Sequence, residues 1–208
     1  MAKAVLKLDA APALPTRPLE VGKFAGSGAA PEPPGSSHVA PGDRPEARLT
    51  ALFNGRDLTH WRDDGKGHWT VADGILHYDG RGASLRTQKD YGDVELYVDW
   101  KICPGADSGI NLRGKPQVQI WDRPEGSGGL YNNKVHPIRP LVRADRPVGE
   151  WNTFHIVIRG DQVTVDLNGQ RVVDGVTMVN GPEFKEPLPA VGPIKLQHYY
   201  GPIQFRNI

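Results

Sequence analysis

The residues best suited to chemistry lie between Asp107 and Asp122, in the run Asp-Ser-Gly-Ile-Asn-Leu-Arg-Gly-Lys-Pro-Gln-Val-Gln-Ile-Trp-Asp. Alternation is strict on both sides of a Gly-Lys-Pro turn: Ile110 and Leu112 oppose Asn111 and Arg113, while Val118 and Ile120 oppose Gln117, Gln119 and Trp121. Side chains in a strand have period two, so the spacing predicts a hairpin with one apolar face and one polar face. The polar face carries Asn111, Arg113, Gln117, Gln119 and Trp121. Outward strand positions usually carry Lys, Glu or Thr, which do no more than meet water. Amides, an indole and a guanidinium suit a hydroxyl-rich ligand instead, because planar groups form paired hydrogen bonds and the indole stacks on C–H surfaces. The chemistry expected of this face is carbohydrate binding.

A hairpin cannot hold such a face alone, and the flanking sequence supplies more strands. Asp73-Gly74 and Asn168-Gly169 are tight-turn signals between apolar-alternating runs. Val94, Leu96, Val98, Trp100 and Ile102 alternate with polar residues along one long strand, and Phe154, Ile156 and Ile158 point inward from another. Trp69, Trp100 and Trp151 are assigned to packing. The segment from Arg123 to Val148 is rich in Gly, Pro and Asn and too long for a passive connection. It is expected to bring Tyr131 and Asn132 over the sheet and to dock through Leu141 and Val142. In Ile194-Lys-Leu-Gln-His-Tyr, Gln197 shares parity with Lys195 and Tyr199, away from the core, while His198 shares parity with Ile194 and Leu196. Roughly ten short strands without an amphipathic helix imply an all-β, antiparallel two-sheet β-sandwich of jelly-roll type.

Composition bounds the partners. In 208 residues, 25 Lys+Arg face 24 Asp+Glu for a formal net charge of +1, which gives no electrostatic case for nucleic acid. No apolar run has the length of a membrane span, and the start lacks the apolar stretch of a signal peptide, so the sequence as written reads as cytoplasmic. Cys103 is the single cysteine, which excludes an intrachain disulfide and a cysteine metal cluster. Residues 1–48 have the Pro, Gly, Ala and Ser composition of an extended arm, with Val5, Leu6, Leu8, Val21 and Phe24 as scattered anchors. The arm is expected to lie along a neighbouring subunit or partner in a homo-oligomer or larger assembly, and residues 49–208 are expected to form one domain.

Several runs in register resemble the 3-keto-disaccharide hydrolase domain family. They are Leu-Phe-Asn-Gly-Arg-Asp-Leu (52–58) with Trp61, Trp-Thr-Val-Ala-Asp-Gly-Ile-Leu (69–76), Leu-Arg-Thr (85–87) with Tyr-Gly-Asp-Val-Glu-Leu (91–96), Asp-Ser-Gly-Ile-Asn-Leu-Arg (107–113), Gln-Val-Gln-Ile-Trp-Asp (117–122), Gly-Glu-Trp-Asn-Thr (149–153), Val-Asp-Leu-Asn-Gly (165–169), Gly-Pro-Ile-Lys-Leu-Gln-His (192–198) and Phe-Arg-Asn-Ile (205–208). The resemblance covers about residues 49–208 and implies the concanavalin-A-like lectin/glucanase sandwich. It would also suit an exported protein whose signal has been removed. The chain departs from it at two positions, since many relatives carry Asn where Asp107 stands and Glu where Gln117 stands. The first adds a candidate base, and the second removes a carboxylate.

Ordinary glycosidases need two carboxylates about the scissile bond. The Glu-x-Asp-x-x-Glu run of related sandwich glucanases is absent here. The 3-keto sugar that the resemblance implies lowers the demand, because the ketone acidifies the C2 hydrogen. One base then expels the C1 substituent by elimination, and water adds afterwards. The resemblance thus implies cleavage of 3-keto-glycosides, with Arg113 stabilising the enolate, Asp107 or Asp122 as base, and His198 or Tyr131 as acid. Asn111, Gln117, Gln119, Trp121, Tyr131, Asn132 and Gln197 are expected to bind the substrate. No cofactor is required; a divalent cation at Asp107 or Asp122 would polarise the ketone, although no ligand spacing demands one. The alternative is a non-catalytic carbohydrate-binding or structural subunit anchored through its arm.

Overall fold

Two tight turns show how the sequence builds the sheets. Asp73 and Gly74 take φ of 53° and 74°, and Asn168 and Gly169 take 52° and 80°. Paired left-handed residues reverse the chain with the twist that antiparallel strands need, which is why Asp-Gly and Asn-Gly stand there. The computed structural model describes residues 49–208 except 66, 114–115, 134–138 and 180–186. The proposed docking of the arm therefore lies outside the described residues, as does the Gly-Lys part of the expected turn.

Among the described residues thirteen strands follow in chain order: β1 (Trp61–Asp63), β2 (Trp69–Ala72), β3 (Ile75–Tyr78), β4 (Leu85–Tyr91), β5 (Val94–Ile102), β6 (Asp107–Asn111), β7 (Gln117–Trp121), β8 (Leu130–Tyr131), β9 (Asn152–Arg159), β10 (Gln162–Leu167), β11 (Gln170–Thr177), β12 (Gly192–Leu196) and β13 (Ile203–Arg206). There is no helix among the described residues. A six-stranded sheet of order β1-β4-β12-β6-β7-β8 packs on a seven-stranded sheet of order β11-β10-β9-β5-β13-β3-β2, with all pairing antiparallel. This is the expected all-β, antiparallel two-sheet sandwich of jelly-roll type.

Alternation places the core between the sheets. Leu85, Ile110, Val118, Ile120, Ile194 and Leu196 of the six-stranded sheet meet Leu96, Val98, Trp100, Phe154, Ile156 and Ile158 of the other, and all are buried. Each such side chain contributes about 1.5–3 kcal/mol on burial, so a slip of one residue in β7 would expose its apolar pair and bury its amides in oil. Trp69 and Trp100 are core residues, as expected, the latter from its parity. Trp151 packs on the surface instead, with Arg206 4.1 Å and Lys101 5.0 Å from its ring. The long segment after β7 is fastened by its backbone: Leu141 N–H donates to the Val172 carbonyl, but the Leu141 side chain is 70% exposed and Val142 is exposed too. Docking through those two side chains is thus corrected.

Candidate active site on the six-stranded sheet

Register decides which side chains share the outer face. Across β6 and β7, Asp107 stands opposite Trp121, Gly109 opposite Gln119, and Asn111 opposite Gln117. Residues directly opposite in an antiparallel ladder point the same way, so these six positions share one face while Val118 and Ile120 enter the core. On one flank β12 brings Lys195 beside Asn111 and, two residues on, Gln197. On the other flank β8 sets Tyr131 beside Gln117. Tyr200 pairs with Asp107 through two backbone hydrogen bonds of 2.8 and 3.0 Å, which puts its ring on the same face.

The amides engage one another. Gln117 Nε2 donates to Oε1 of Gln119 at 2.8 Å and of Gln197 at 3.0 Å, and Gln119 Nε2 donates to Asp107 Oδ1 at 2.6 Å. Gly109 makes room for this run, because a Cβ there would lie 2.8 Å from Gln117 Cδ and 2.9 Å from its Nε2. Gln117 and Gln119 are 3% and 2% exposed. The expected open amide floor is therefore corrected to a closed tape of mutually satisfied groups, as burial of polar atoms demands. Asn111, also buried, donates from Nδ2 to the Pro116 carbonyl and helps close the hairpin turn.

The tape ends at Asp107, where the face becomes accessible. Asp107 keeps 16% of its side chain exposed. Burial pushes its carboxyl above the ordinary value of 3.8, and the Gln119 hydrogen bond and the Arg123 charge only partly offset this. Arg123 Nη2 lies 3.9 Å from Asp107 Oδ2, and its guanidinium carbon stands 4.9 Å from the centre of the Trp121 ring. Trp121 is fixed in turn by a 2.6 Å hydrogen bond from its indole N–H to the Gly126 carbonyl. Tyr131 meets Trp121 edge-on at 6.2 Å. Tyr200 is 40% exposed and Tyr199 62% exposed. A carboxylate made more basic by burial, a nearby cation and rings on both flanks meet at this end of the face, a combination of the kind that proton transfer calls on.

The other expected catalytic residues are not brought to this point. Arg113 lies past the end of β6 and donates from Nη1 to the Ala190 carbonyl, in a cavity at that end of the sandwich. Five residues of β6 at about 3.3 Å each separate it from the Asp107 neighbourhood. Asp122 is exposed, and its Oδ2 accepts the Gly105 N–H at 3.0 Å, so it shapes the turn that precedes β6. His198 is exposed beyond the end of β12, not in the core as its parity implies, and its Nδ1 is 2.9 Å from Ser84 Oγ. Asn132 is an exposed left-handed turn residue with φ of 62°; its neighbour Asn133 anchors the segment by donating to the Thr177 carbonyl at 2.9 Å. Sequence reasoning missed Tyr200 and Arg123. The one available signal was a Tyr-Tyr pair and an Arg sitting just past strand ends. Among the described residues, no three His, Cys, Asp or Glu side chains converge as a metal site requires.

The sequence profile of the 3-keto-α-glucoside-1,2-lyase-like domain matches residues 48–208. A 3-keto-disaccharide hydrolase from Bacteroides thetaiotaomicron is 25% identical over 59% of this chain, and the chain spans only 57% of that protein's length. A crystal structure of a candidate glycosyl hydrolase from Parabacteroides distasonis ATCC 8503 superposes with a TM-score of 0.60 at 27% identity, covering 76% of this chain and 80% of that one. The carbohydrate-binding module CBM66 from Bacillus subtilis shares the fold, with a TM-score of 0.50 at 13% identity over 73% of this chain and 94% of its own. With 161 consecutive residues under the profile, the chain belongs to the 3-keto-α-glucoside-1,2-lyase-like domain family and is a carbohydrate-active sandwich.

Proposed function

We propose that the Asp107 end of this sheet face cleaves 3-keto-glycosides by elimination across C1 and C2. The observation that carries the reading is Asp107 itself, a carboxylate of raised basicity held by Gln119 between Trp121 and Tyr200. Asp107 takes the hydrogen from C2, and the C–H electrons pass into the ketone as an enolate. The enolate then collapses to a C1=C2 double bond and expels the C1 oxygen substituent. That leaving oxygen takes a proton from the Tyr200 phenol, and the proton on Asp107 restores the phenol through solvent. Water adds to the double bond afterwards, giving net hydrolysis with no redox change. Arg123 takes the role expected of Arg113, since its guanidinium stands near Asp107 where the enolate oxygen gains charge.

The test is to mix the protein with a 3-keto-glucoside carrying deuterium at C2 and follow release of the aglycone. A slowed release relative to the protium substrate, and its loss in Asp107→Asn, support the reading; release insensitive to both contradicts it. A non-catalytic carbohydrate-binding face is the alternative, favoured by the exposed rings of Tyr131, edge-on to Trp121, and Tyr200, opposite Asp107. It predicts saturable sugar binding in the same sample with no release.

A further inference from the structure

The outer face of the seven-stranded sheet, on the far side of the sandwich from Asp107, carries a cation pair that the proposed reaction does not use. Register places it. Lys101 on β5 stands opposite Gln204 on β13, Gln204 opposite His77 on β3, and His77 opposite Thr70 on β2. Residues opposite in antiparallel ladders point the same way, so these four form one row, turned away from the core that Trp100, Phe205, Leu76 and Trp69 enter. At strand spacing the row is about 14 Å long. By its Lys101 end lies Trp151, whose ring centre is 4.1 Å from the Arg206 guanidinium carbon and 5.0 Å from the Lys101 ammonium. Lys101, Trp151 and His77 are half-buried, Thr70 is exposed, and Arg206 keeps 39% of its side chain exposed. Gln204 is buried and lies against His77, its Nε2 3.1 Å from the imidazole Nδ1.

Two cations that share one indole repel each other, although the ring attracts both. Burial holds the Lys101 ammonium below its ordinary value of 10.5, and the Arg206 charge adds to that. Asp99 supplies one negative charge 3.5 Å from Arg206 Nε, but Thr153 Oγ1 and Asn207 Nδ2 also draw on its oxygens, at 2.8 and 2.7 Å. These three charged groups are net positive. The indole holds both cations in place, so little side-chain freedom is left to lose when an anion arrives. The rest of the row narrows the ligand. A small inorganic anion would use the cations and leave His77 and Thr70 idle, and a neutral glycan would do the reverse. Nucleic acid calls for cations along its whole length, and here they stand at one end. We propose that this face binds an acidic glycan, with a uronate carboxylate on Lys101 and Arg206 beside Trp151 and the hydroxyls of the adjoining sugars on His77 and Thr70. Such a ligand suits a carbohydrate-active family, and its site does not depend on the reaction proposed for the Asp107 end.

Titration calorimetry of the full chain with trigalacturonate, against maltotriose at the same ionic strength, tests this. Trigalacturonate is expected to bind at least roughly tenfold more tightly than maltotriose, and more weakly as salt is added. Lys101→Gln is expected to weaken it roughly 10-fold, within the range for losing one hydrogen-bonded charge, and Lys101→Arg to retain it. Trp151→Leu, which keeps both cations but removes the ring that holds them, is expected to weaken it as well. Arg62→Gln removes an exposed cation from the other sheet and Arg123→Gln removes the one beside Asp107; both are expected to leave the affinity unchanged. Absence of trigalacturonate binding by wild type overturns the proposal. So does binding indifferent to Lys101→Gln and Trp151→Leu. Equal weakening by Arg62→Gln would show diffuse attraction, and loss in Arg123→Gln would put the ligand on the Asp107 face; either result also overturns it.

Discussion

Gln119 donates from Nε2 to Oδ1 of Asp107 across 2.6 Å, and this bond joins the buried amide tape to an accessible carboxylate on the face. The tape runs from Gln197 through Gln117 to Gln119, so β7 and the residue just past β12 cooperate to fix where Asp107 points. In the proposed role of base, a carboxylate held this way would need no rearrangement to meet a substrate hydrogen, which is the condition for efficient proton transfer.

Holding Asp107 there lowers stability near neutral pH. Its carboxyl is raised above 3.8 by burial, so the folded state keeps the proton to higher pH than the unfolded chain does. The contribution of such a group is complete below the unfolded value and is lost as pH rises through the folded one. Asp107→Asn keeps an acceptor for Gln119 and removes the buried charge. It is expected to melt above wild type at about pH 7, with the gap closing toward about pH 4. Melting curves at the two pH values check this; an Asn variant no more stable than wild type at neutral pH would count against the burial argument.

Gly109→Ala tests the tape. The added Cβ would lie 2.8 Å from Gln117 Cδ and 3.0 Å from the Val118 carbonyl oxygen, so a side chain and a strand must both give way. The expected loss is roughly 1–3 kcal/mol, read as a lower denaturant midpoint at unchanged slope. A neutral Gly109→Ala would show that Gln117 is not constrained as described.

Tyr200→Phe separates the phenol from the ring. If the hydroxyl protonates the leaving group, turnover should fall roughly 100-fold while KM changes little, since the stacking surface remains. The effect should shrink for an aglycone that leaves readily as an anion. Equal loss with every leaving group would assign Tyr200 to positioning.

Asp99 on the other sheet provides the structural control. It is buried and accepts from Thr153 Oγ1 at 2.8 Å and Asn207 Nδ2 at 2.7 Å, with Arg206 Nε 3.5 Å away, tying β5 to β9 and to the chain end. Asp99→Ala is expected to cost about 3 kcal/mol, or roughly 6–12 °C in Tm, and to leave sugar binding intact below that temperature. Loss of binding in the still-folded variant would mean that the two sheets are coupled.

Much of this was legible in the sequence. Strict alternation through Gln117, Val118, Gln119 and Ile120 set the register of β7 and thereby the face that carries Asp107 and Trp121. Arg113 was misplaced because its alternation continues in sequence while the strand stops at Asn111, where the chain bends toward the cavity. His198 was misplaced and Tyr200 missed for a related reason: parity along β12 ends at Leu196, and pairing returns with the bridge to Asp107, at Tyr200. Closure of the amides could not be read from β6 and β7 alone. It needs Gln197, just past the end of β12 and 80 residues from Gln117 in the chain, and a sequence pattern does not report which distant strand will lie alongside.

The most direct test of the central claim is single-turnover release of the aglycone from a 3-keto-glucoside by wild type and by Asp107→Asn, both confirmed folded by melting. The account predicts that Asp107→Asn is folded, still binds sugar, and releases aglycone roughly 100- to 10,000-fold more slowly. Release at the wild-type rate by Asp107→Asn would contradict it.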